Sequence, residues 1–397
     1  MKLFQINITA NCGSHGKIAE GIGQLAIKNG WESYIAYGRE AKESKSHLYH
    51  IGSMLDERWH GVETRLFDKH GLGSKMATKR LLEKMDMIRP DIVHLHNVHG
   101  YYLNYPMLFQ YIADHNIPTV WTLHDCWAFT GHCAHFEAAG CEKWKTECHD
   151  CPILRNYPAS FWRDNSRNNY NLKRHYFNIS KNLTLVSVSD WLANLVKDSF
   201  LSHLPIVTIH NGINLDIFKP TPSTTIKCER PIVLAVATVW TKNKGIEDVI
   251  KLSEHDDIQI VIIGVSKKQK KQLPYNVIGL EKTADQTELA KYYTAANVLV
   301  NPTYEDNFPT VNLEALACGT PVVTYDTGGS PESLTKETGA VVAQGDIEGL
   351  YHAIKNFVSL NDKDTLRERC IARASCFDYK NRFQDYFNLY KDILLNQ

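Results

Sequence analysis

Long apolar runs are missing from this sequence. The longest, PIVLAVATVW from Pro231 to Trp240, is about half of what a bilayer-spanning helix needs. Net charge is missing too: 44 Lys and Arg balance 44 Asp and Glu, so no bulk field draws the chain to nucleic acid or an anionic surface. No low-complexity tract and no short repeat occurs, which argues against disordered and solenoid architectures. The first residues carry one lysine and then LFQINI before Thr9. That is too short for the core of a secretion signal and reads as a first buried strand. A cytoplasmic, reducing location is expected.

What is present is ordinary globular material. The 397 residues are 43% apolar and 22% charged, enough for two domains or three. Short apolar runs at Leu3–Ile8, Trp31–Tyr37, Asp91–Leu95, Thr119–Leu123 and Leu183–Val188 read as strands. A helix with Ile18, Ile22 and Leu25 on one face follows the loop NCGSHG and stops at Asn29-Gly30. The second half repeats the scheme at Ile232–Ala237, Ile258–Ile263, Val298–Asn301 and Pro321–Tyr325. Runs apolar on both faces, separated by helices, predict parallel sheets covered on both sides. The fold class expected is α/β, with two Rossmann-like doubly wound domains facing across a cleft. They divide near 205/206, close to the linker-like KPTPSTT at Lys219–Thr225. Ligands of such sheets bind at the carboxyl ends of the strands.

The strongest motif is NPTYEDNFPTVNLEALACGTP, Asn301 to Pro321. It reads strand, acidic loop, helix. Phe308, Pro309 and Thr310 open the helix, whose free backbone N–H groups suit phosphate. Glu314 lies about one turn in, and a carboxylate there can accept two hydroxyls of a ribose. Glu305, Asp306 and Asn307 sit on the loop, placed for sugar hydroxyls. A capped surface helix with a solvated acidic loop would show the same spacing.

Histidines follow two strand ends. His124 ends TVWTLHD, and His94, His96 and His99 lie in HLHNVHG. Alternation puts His94 and His96 on one sheet face. Each suits a ligand contact or a locally satisfied core position. Five of the ten cysteines lie between Cys126 and Cys151, and Cys133, Cys141, Cys148 and Cys151 form C-x7-C-x6-C-x2-C. Four thiolates satisfy a tetrahedral structural zinc, with His132, His135 and His149 as alternative ligands. Two disulfides and reduced thiols are the other readings. The basic, aromatic stretch 155–181, with Arg155, Arg163, Arg167, Phe161 and Trp162, suits an anionic membrane surface, an acceptor's pyrophosphate, or a solvated helix face.

These motifs resemble retaining glycosyltransferase family 4, in the right order over nearly the whole chain. The acidic loop and helix look like its E-x7-E motif, with EALACGTPVV matching closely. Aligning Phe308 and Glu314 puts Asp306 rather than Glu305 at the first acidic position. Gly13 and Ser14 in NCGSHGKI resemble the family's N-terminal glycine loop, and Asn211 in HNGIN its turn before the linker. Lys244 in VATVWTKNKG aligns with the lysine facing the donor diphosphate. The usual Gly-Arg is replaced by Thr238, Val239 and Trp240, which leaves Lys242 for the second positive charge. WTLHDCW and TGHC look like a bacterial capsule-type subgroup with a cysteine-rich insert at 126–151.

The resemblance implies a GT-B fold. The domains would be 1–205, with 379–397 crossing back to it as the last helix, and 206–378. It implies a UDP- or GDP-sugar donor, with His124, Asp306 and Lys244 as catalytic groups. Donor contacts would come from Gly13, Ser14, Lys242, Asn211, Glu305, Asn307, Phe308, Pro309, Thr310 and Glu314. The acceptor expected is a glycan, in the form of a lipid-linked saccharide, with peripheral contact to the inner membrane surface and no nucleic acid. No Asp-x-Asp occurs within the donor and acceptor motifs quoted above, so no catalytic metal is expected under the diphosphate. A nucleotide-sugar epimerase or hydrolase of the same fold, and a non-catalytic zinc-stapled binding module, are the rival readings.

Overall fold

Strands that are apolar on both faces must be buried between layers of helices, and the chain builds two such sheets. The computed structural model describes residues 1–222 and 228–396, so the segment Lys219–Thr225 lies partly outside the described residues. The chain divides into two units. The first is Met1–Ile209 with Phe383–Gln397, and the second is His210–Arg382.

The first unit runs β1 (Lys2–Ala10), α1 (Gly13–Lys28), β2 (Glu32–Ala41), β3 (His47–His50), α2 (Met54–Phe67), α3 (Lys75–Ile88), β4 (Ile92–Leu95), α4 (Tyr105–Asp114) and β5 (Thr119–Leu123). After an irregular stretch come α5 (Ser166–Tyr176), β6 (Leu183–Ser187), α6 (Asp190–Lys197) and β7 (Ile206–Thr208). Its seven strands pair in the order β3-β2-β1-β4-β5-β6-β7. All ladders are parallel, as continuously apolar strands require.

The second unit holds β8 (Ile232–Val236), α7 (Ile246–Lys251), β9 (Gln259–Ile263), α8 (Lys267–Lys270), β10 (Val277–Leu280), α9 (Gln286–Ala295), β11 (Val298–Asn301), α10 (Thr310–Ala317), β12 (Val322–Tyr325), β13 (Gly339–Val342), α11 (Ile347–Val358) and α12 (Lys363–Ser375). The six strands pair in the order β10-β9-β8-β11-β12-β13, again all parallel. Val233, Ala235, Ile260, Ile262, Val298 and Val323 form its core with Leu350 and Ile354 of α11. In both sheets the order reverses beside the first strand of the unit, the place where doubly wound folds bind ligands.

The last helix, α13 (Tyr379–Leu395), belongs to the first unit from Phe383 onward. Phe387 packs on Trp31 at 4.9 Å. Tyr390 Oη meets His94 Nδ1 at 2.5 Å, and Thr122 Oγ1 donates to Tyr386 Oη at 3.2 Å. His94 Nε2 lies 2.8 Å from Thr122 Oγ1, so both ring nitrogens of this buried histidine are satisfied. Tyr390→Phe should strand one of them at a cost of about 1–3 kcal/mol. Urea unfolding followed on the first unit would read it, and an unchanged midpoint would refute this role.

Candidate active site

Two groups of polar side chains stand at the carboxyl ends of strands. The first is in the second unit, where β11 ends at Asn301 and the acidic loop begins. Lys244 closes a short 3-10 turn, Lys242–Lys244, after β8. Its Nζ donates to Asp306 Oδ2 at 2.7 Å and to the Glu305 carbonyl at 3.2 Å. The Glu305 carboxylate takes another partner, accepting from Asn243 Nδ2 at 2.8 Å. The adjacent acids therefore point to different residues, and Lys244 holds Asp306.

Two glycines permit this approach. Gly245 has φ +73°, and a Cβ there would lie 2.1 Å from the Pro302 carbonyl oxygen. Gly328 has φ +53°, and its Cβ would lie 1.7 Å from the Asp306 carbonyl oxygen. Any larger residue would push the acidic loop away.

Pro309 is the N-cap of α10, so the first N–H groups of the helix lack a side-chain cap. Phe308 is buried against His210 at 4.7 Å, and Asn211 Nδ2 donates to the Phe308 carbonyl at 3.4 Å. Glu314 accepts from Tyr293 Oη at 2.9 Å. Burial, then the Glu314 charge, pushes the Tyr293 hydroxyl well above its ordinary range, so it stays a donor. Asn301 Nδ2 donates to Asn312 Oδ1 at 2.9 Å, and Asn312 Nδ2 to Ser333 Oγ at 3.1 Å, which ties α10 to the strand end. Lys242 is exposed. Lys244, Glu305, Asp306, Phe308, Asn211 and Glu314 thus share one end of the second sheet. Asn243 and Tyr293 are not marked by the sequence, since each acts on an acid distant from it along the chain.

The second group lies in the first unit. His124 follows β5, and His96 follows β4. His96 Nδ1 lies 3.4 Å from His124 Nε2, with the rings stacked at 5.6 Å. His15, two residues beyond Gly13, brings its ring to 5.8 Å from His124. Gly13 and Ser14 open α1 and are exposed. His99 Nε2 lies 2.9 Å from Asp125 Oδ2, and His99 Nδ1 lies 3.2 Å from Tyr157 Oη. Burial alone would raise the Asp125 carboxyl, but His99 outweighs it and holds the group well below its usual range. His96, His99, His124 and Asp125 line one pocket.

The cysteine-rich stretch has three short 3-10 turns and is fastened from beneath. Lys173 of α5, fully buried, donates to the Trp127 and Thr130 carbonyls at 2.7 and 2.9 Å, with Nζ 3.5 Å from the centre of the Trp127 ring. Burial draws this amine down to about 7. Cys133, Cys141, Cys148 and Cys151 are free thiols lining one pocket with His132 and His149. Cys133 and Cys151 share a hydrogen bond. His132 Nδ1 lies 2.6 Å from Asp68 Oδ1, while its buried Nε2 has no hydrogen-bond partner. Thiols beside an unpartnered imidazole nitrogen fit zinc by donor chemistry. Among the described residues, no three of these donors lie within 4.8 Å of one another, so a metal would have to draw them together.

Six histidines of the first unit sit below their ordinary range. His15 and His60 fall to about 4, His15 through burial and then His99, His60 through burial. His70, His94, His96 and His124 lie well below it, all chiefly through burial. Unfolding frees each to bind a proton below about 6.5, so stability is full above that pH and falls as pH drops toward 4. The melting temperature of the first unit should fall steeply across that window, read by differential scanning calorimetry. A flat profile would mean that the buried rings are protonated in the folded chain.

Comparison with known proteins bears on the family and the fold. A family model described as Glycosyltransferase Family 4 matches residues 23–217, and one described as Glycosyl transferases group 1 matches residues 204–375. The colanic acid biosynthesis glycosyl transferase named WcaC, from Escherichia coli K12 and carrying that name provisionally, is 26% identical over 99% of this chain and 100% of its own length. Sucrose-phosphate synthase from Thermosynechococcus elongatus shares the fold at TM-score 0.74, with 18% identity and full coverage of both chains. Anabaena HepE, solved with UDP-glucose, shares it at TM-score 0.65, with 13% identity, 99% of this chain and 100% of that one. The two family matches together reach from residue 23 to residue 375, over two parallel-sheet units of the expected kind: the chain is a glycosyltransferase of the two-domain GT-B architecture.

Proposed function

We propose that the chain transfers a sugar, with retention, from a nucleoside diphosphate sugar to a glycan acceptor in cell-surface polysaccharide synthesis. The observation that carries the reading is the Lys244–Asp306 contact beside the uncapped start of α10, with Glu314 one turn further on. The name of WcaC and the UDP-glucose in HepE support the polysaccharide and the donor class. The donor belongs to the second unit and the acceptor to the first.

Glu314, oriented by Tyr293, holds the ribose. Lys244 and the N–H groups of α10 take the charge that grows on the departing diphosphate. Lys242 adds a second positive charge. When the diphosphate takes Lys244, the Asp306 carboxylate is freed to accept from a sugar hydroxyl. No side chain is required as nucleophile: in a front-face reaction the protein fixes both reactants and stabilises the leaving group. Gly13 and Ser14 lie on the phosphate or acceptor side, and His124 meets a hydroxyl of the transferred sugar.

Release of nucleoside diphosphate should depend on added acceptor, and acceptor-independent release at the full rate would favour a hydrolase or epimerase. Glu314→Gln should weaken UDP or GDP binding by about 1–3 kcal/mol in calorimetry. Asp306→Asn should cut turnover by about 10- to 1000-fold and Glu305→Gln by little. The reverse pattern would assign the sugar contact to Glu305.

We assign a structural zinc to the cysteine-rich insert, held by Cys133, Cys141, Cys148 and Cys151 or with His132 in place of one thiol. It closes the pocket and leaves no open position for chemistry. Elemental analysis should find about one zinc per chain. Ten titratable thiols without metal would refute the site.

Peripheral contact with an anionic membrane also belongs to this reading. In α2, His60, Gly61 and Thr64 are buried while Leu55, Trp59, Val62 and Leu66 face solvent in one helical stripe. Phe161 N donates to the Arg65 carbonyl at 2.8 Å, which sets exposed Phe161 and Trp162 beside the helix. Exposed Arg58, Arg65 and Arg163 flank these apolar groups. Flotation with phosphatidylglycerol vesicles should carry the protein, and Trp59→Ser with Trp162→Ser should release it. Equal flotation of both proteins would place the contact elsewhere.

A further inference from the structure

The acidic loop carries two adjacent carboxylates, and adjacent side chains of an extended segment leave it on opposite sides. A slip of one residue would therefore exchange Glu305 for Asp306 at Lys244. One carboxylate outside the loop is placed to prevent that. Asp248, nearly buried, stands in the first turn of α7, three residues after Gly245 closes the Lys242–Lys244 turn. Its Oδ2 accepts from Tyr304 Oη at 2.6 Å and from Tyr325 Oη, at the end of β12, at 2.9 Å. Burial, then the contact with Asp248, raises the Tyr304 hydroxyl to about 12 and raises the Tyr325 hydroxyl as well, so both remain donors at neutral pH.

The main chain of Tyr304 is held from the same short segment. Its N–H donates to the Asn243 carbonyl at 2.8 Å. Thr303 Oγ1 lies 3.3 Å from that carbonyl and 3.0 Å from the Glu305 carbonyl. Tyr304 is thus fixed twice, by its backbone at Asn243 and by its side chain at Asp248. Neither neighbour could take its place. The hydroxyl of Thr303, one bond from Cβ, falls short of the reach of a phenol. Glu305 would set a second carboxylate against Asp248 among nearly buried groups, where like charges repel strongly.

We infer that Asp248 is a positioning residue that sets the register of the acidic loop: it accepts the phenol of Tyr304, turns away a carboxylate, and so presents Asp306 rather than Glu305 to Lys244. Tyr325 holds the Asp248 carboxylate in that orientation. The consequence for the reaction rests on the sugar contact proposed above for Asp306; the register itself does not.

Hydrogen exchange of the full chain, followed amide by amide by NMR, tests the register without a substrate. In Tyr304→Phe, which removes only the hydroxyl, the amide at position 304 should exchange about tenfold faster, the scale of one lost hydrogen bond, while the amides of α9 keep their protection. Asp248→Asn, which keeps the shape but accepts more weakly, should move the same amide in the same direction. An amide at position 304 unchanged in both variants, or protection lost throughout the second unit, overturns the inference. Nucleoside diphosphate release then reads the consequence. Tyr304→Phe should lower turnover about tenfold, and adding Asp306→Asn to it should cost no more than Asp306→Asn alone, because both lose the same contact. Penalties that multiply would overturn the action through Asp306. Faster exchange at position 304 with full turnover in Asp306→Asn upholds the register and overturns the sugar contact instead.

Discussion

A polar atom buried in a parallel sheet has no water to turn to, so each must find a partner inside the protein. The first sheet carries an unusual load of such atoms in Gln5, His94, His96 and Thr122, all fully buried or nearly so. Their arrangement follows from that constraint. His94 is closed on both sides by Thr122 and Tyr390, so it belongs to the core and to the docking of the last helix. His96 is closed on one side by Gln5 and reaches toward His124 on the other. Two histidines on the same face of one strand thus do different work. The difference lies in partners 28 to 296 residues away in sequence, which no local pattern displays.

The second sheet solves a different problem, bringing an amine and two carboxylates together without collapsing them into one knot. Asn243 takes Glu305 and Lys244 takes Asp306, so adjacent residues of one loop are sorted by adjacent residues of another. The close backbone approach this needs is available only where Gly245 and Gly328 stand. Neither glycine touches a substrate in this account. Each removes a Cβ that would otherwise occupy the carbonyl of the loop, and that is the physical content of a glycine beside a functional motif.

How much of this was legible in the sequence depends on burial. Nine strands were readable as short apolar runs, and the four that were not are β3, β7, β10 and β13, the edge strand on each side of each sheet. β3 is largely exposed and β7 has no fully buried residue. An edge strand pairs on one side only and is less fully covered, so its side chains need not be continuously apolar and its pattern fades. The acidic loop and its helix were legible because both the charge cluster and the helix start are local. Tyr293, Asn243, Asp68 and Gln5 were not, because each acts by contacting a residue distant in sequence. The insert was visible as a cysteine cluster, but Lys173, the amine that fastens it, looked like one more charge in a basic stretch.

Lys244 shows why the strength of such a contact matters as well as its existence. Its amine and the Asp306 carboxylate are both partly exposed, with side-chain accessibilities of 35% and 23%. An ion pair so placed is worth little, of order 1 kcal/mol or less. A fully buried pair would be held by the cost of stranding either charge, and exchanging its partner would be slow and expensive. A half-exposed lysine can leave one carboxylate for a diphosphate bearing more charge, and the carboxylate it leaves remains hydrated until a hydroxyl arrives. On the function proposed for this site, a contact of that strength is one that the donor diphosphate can replace.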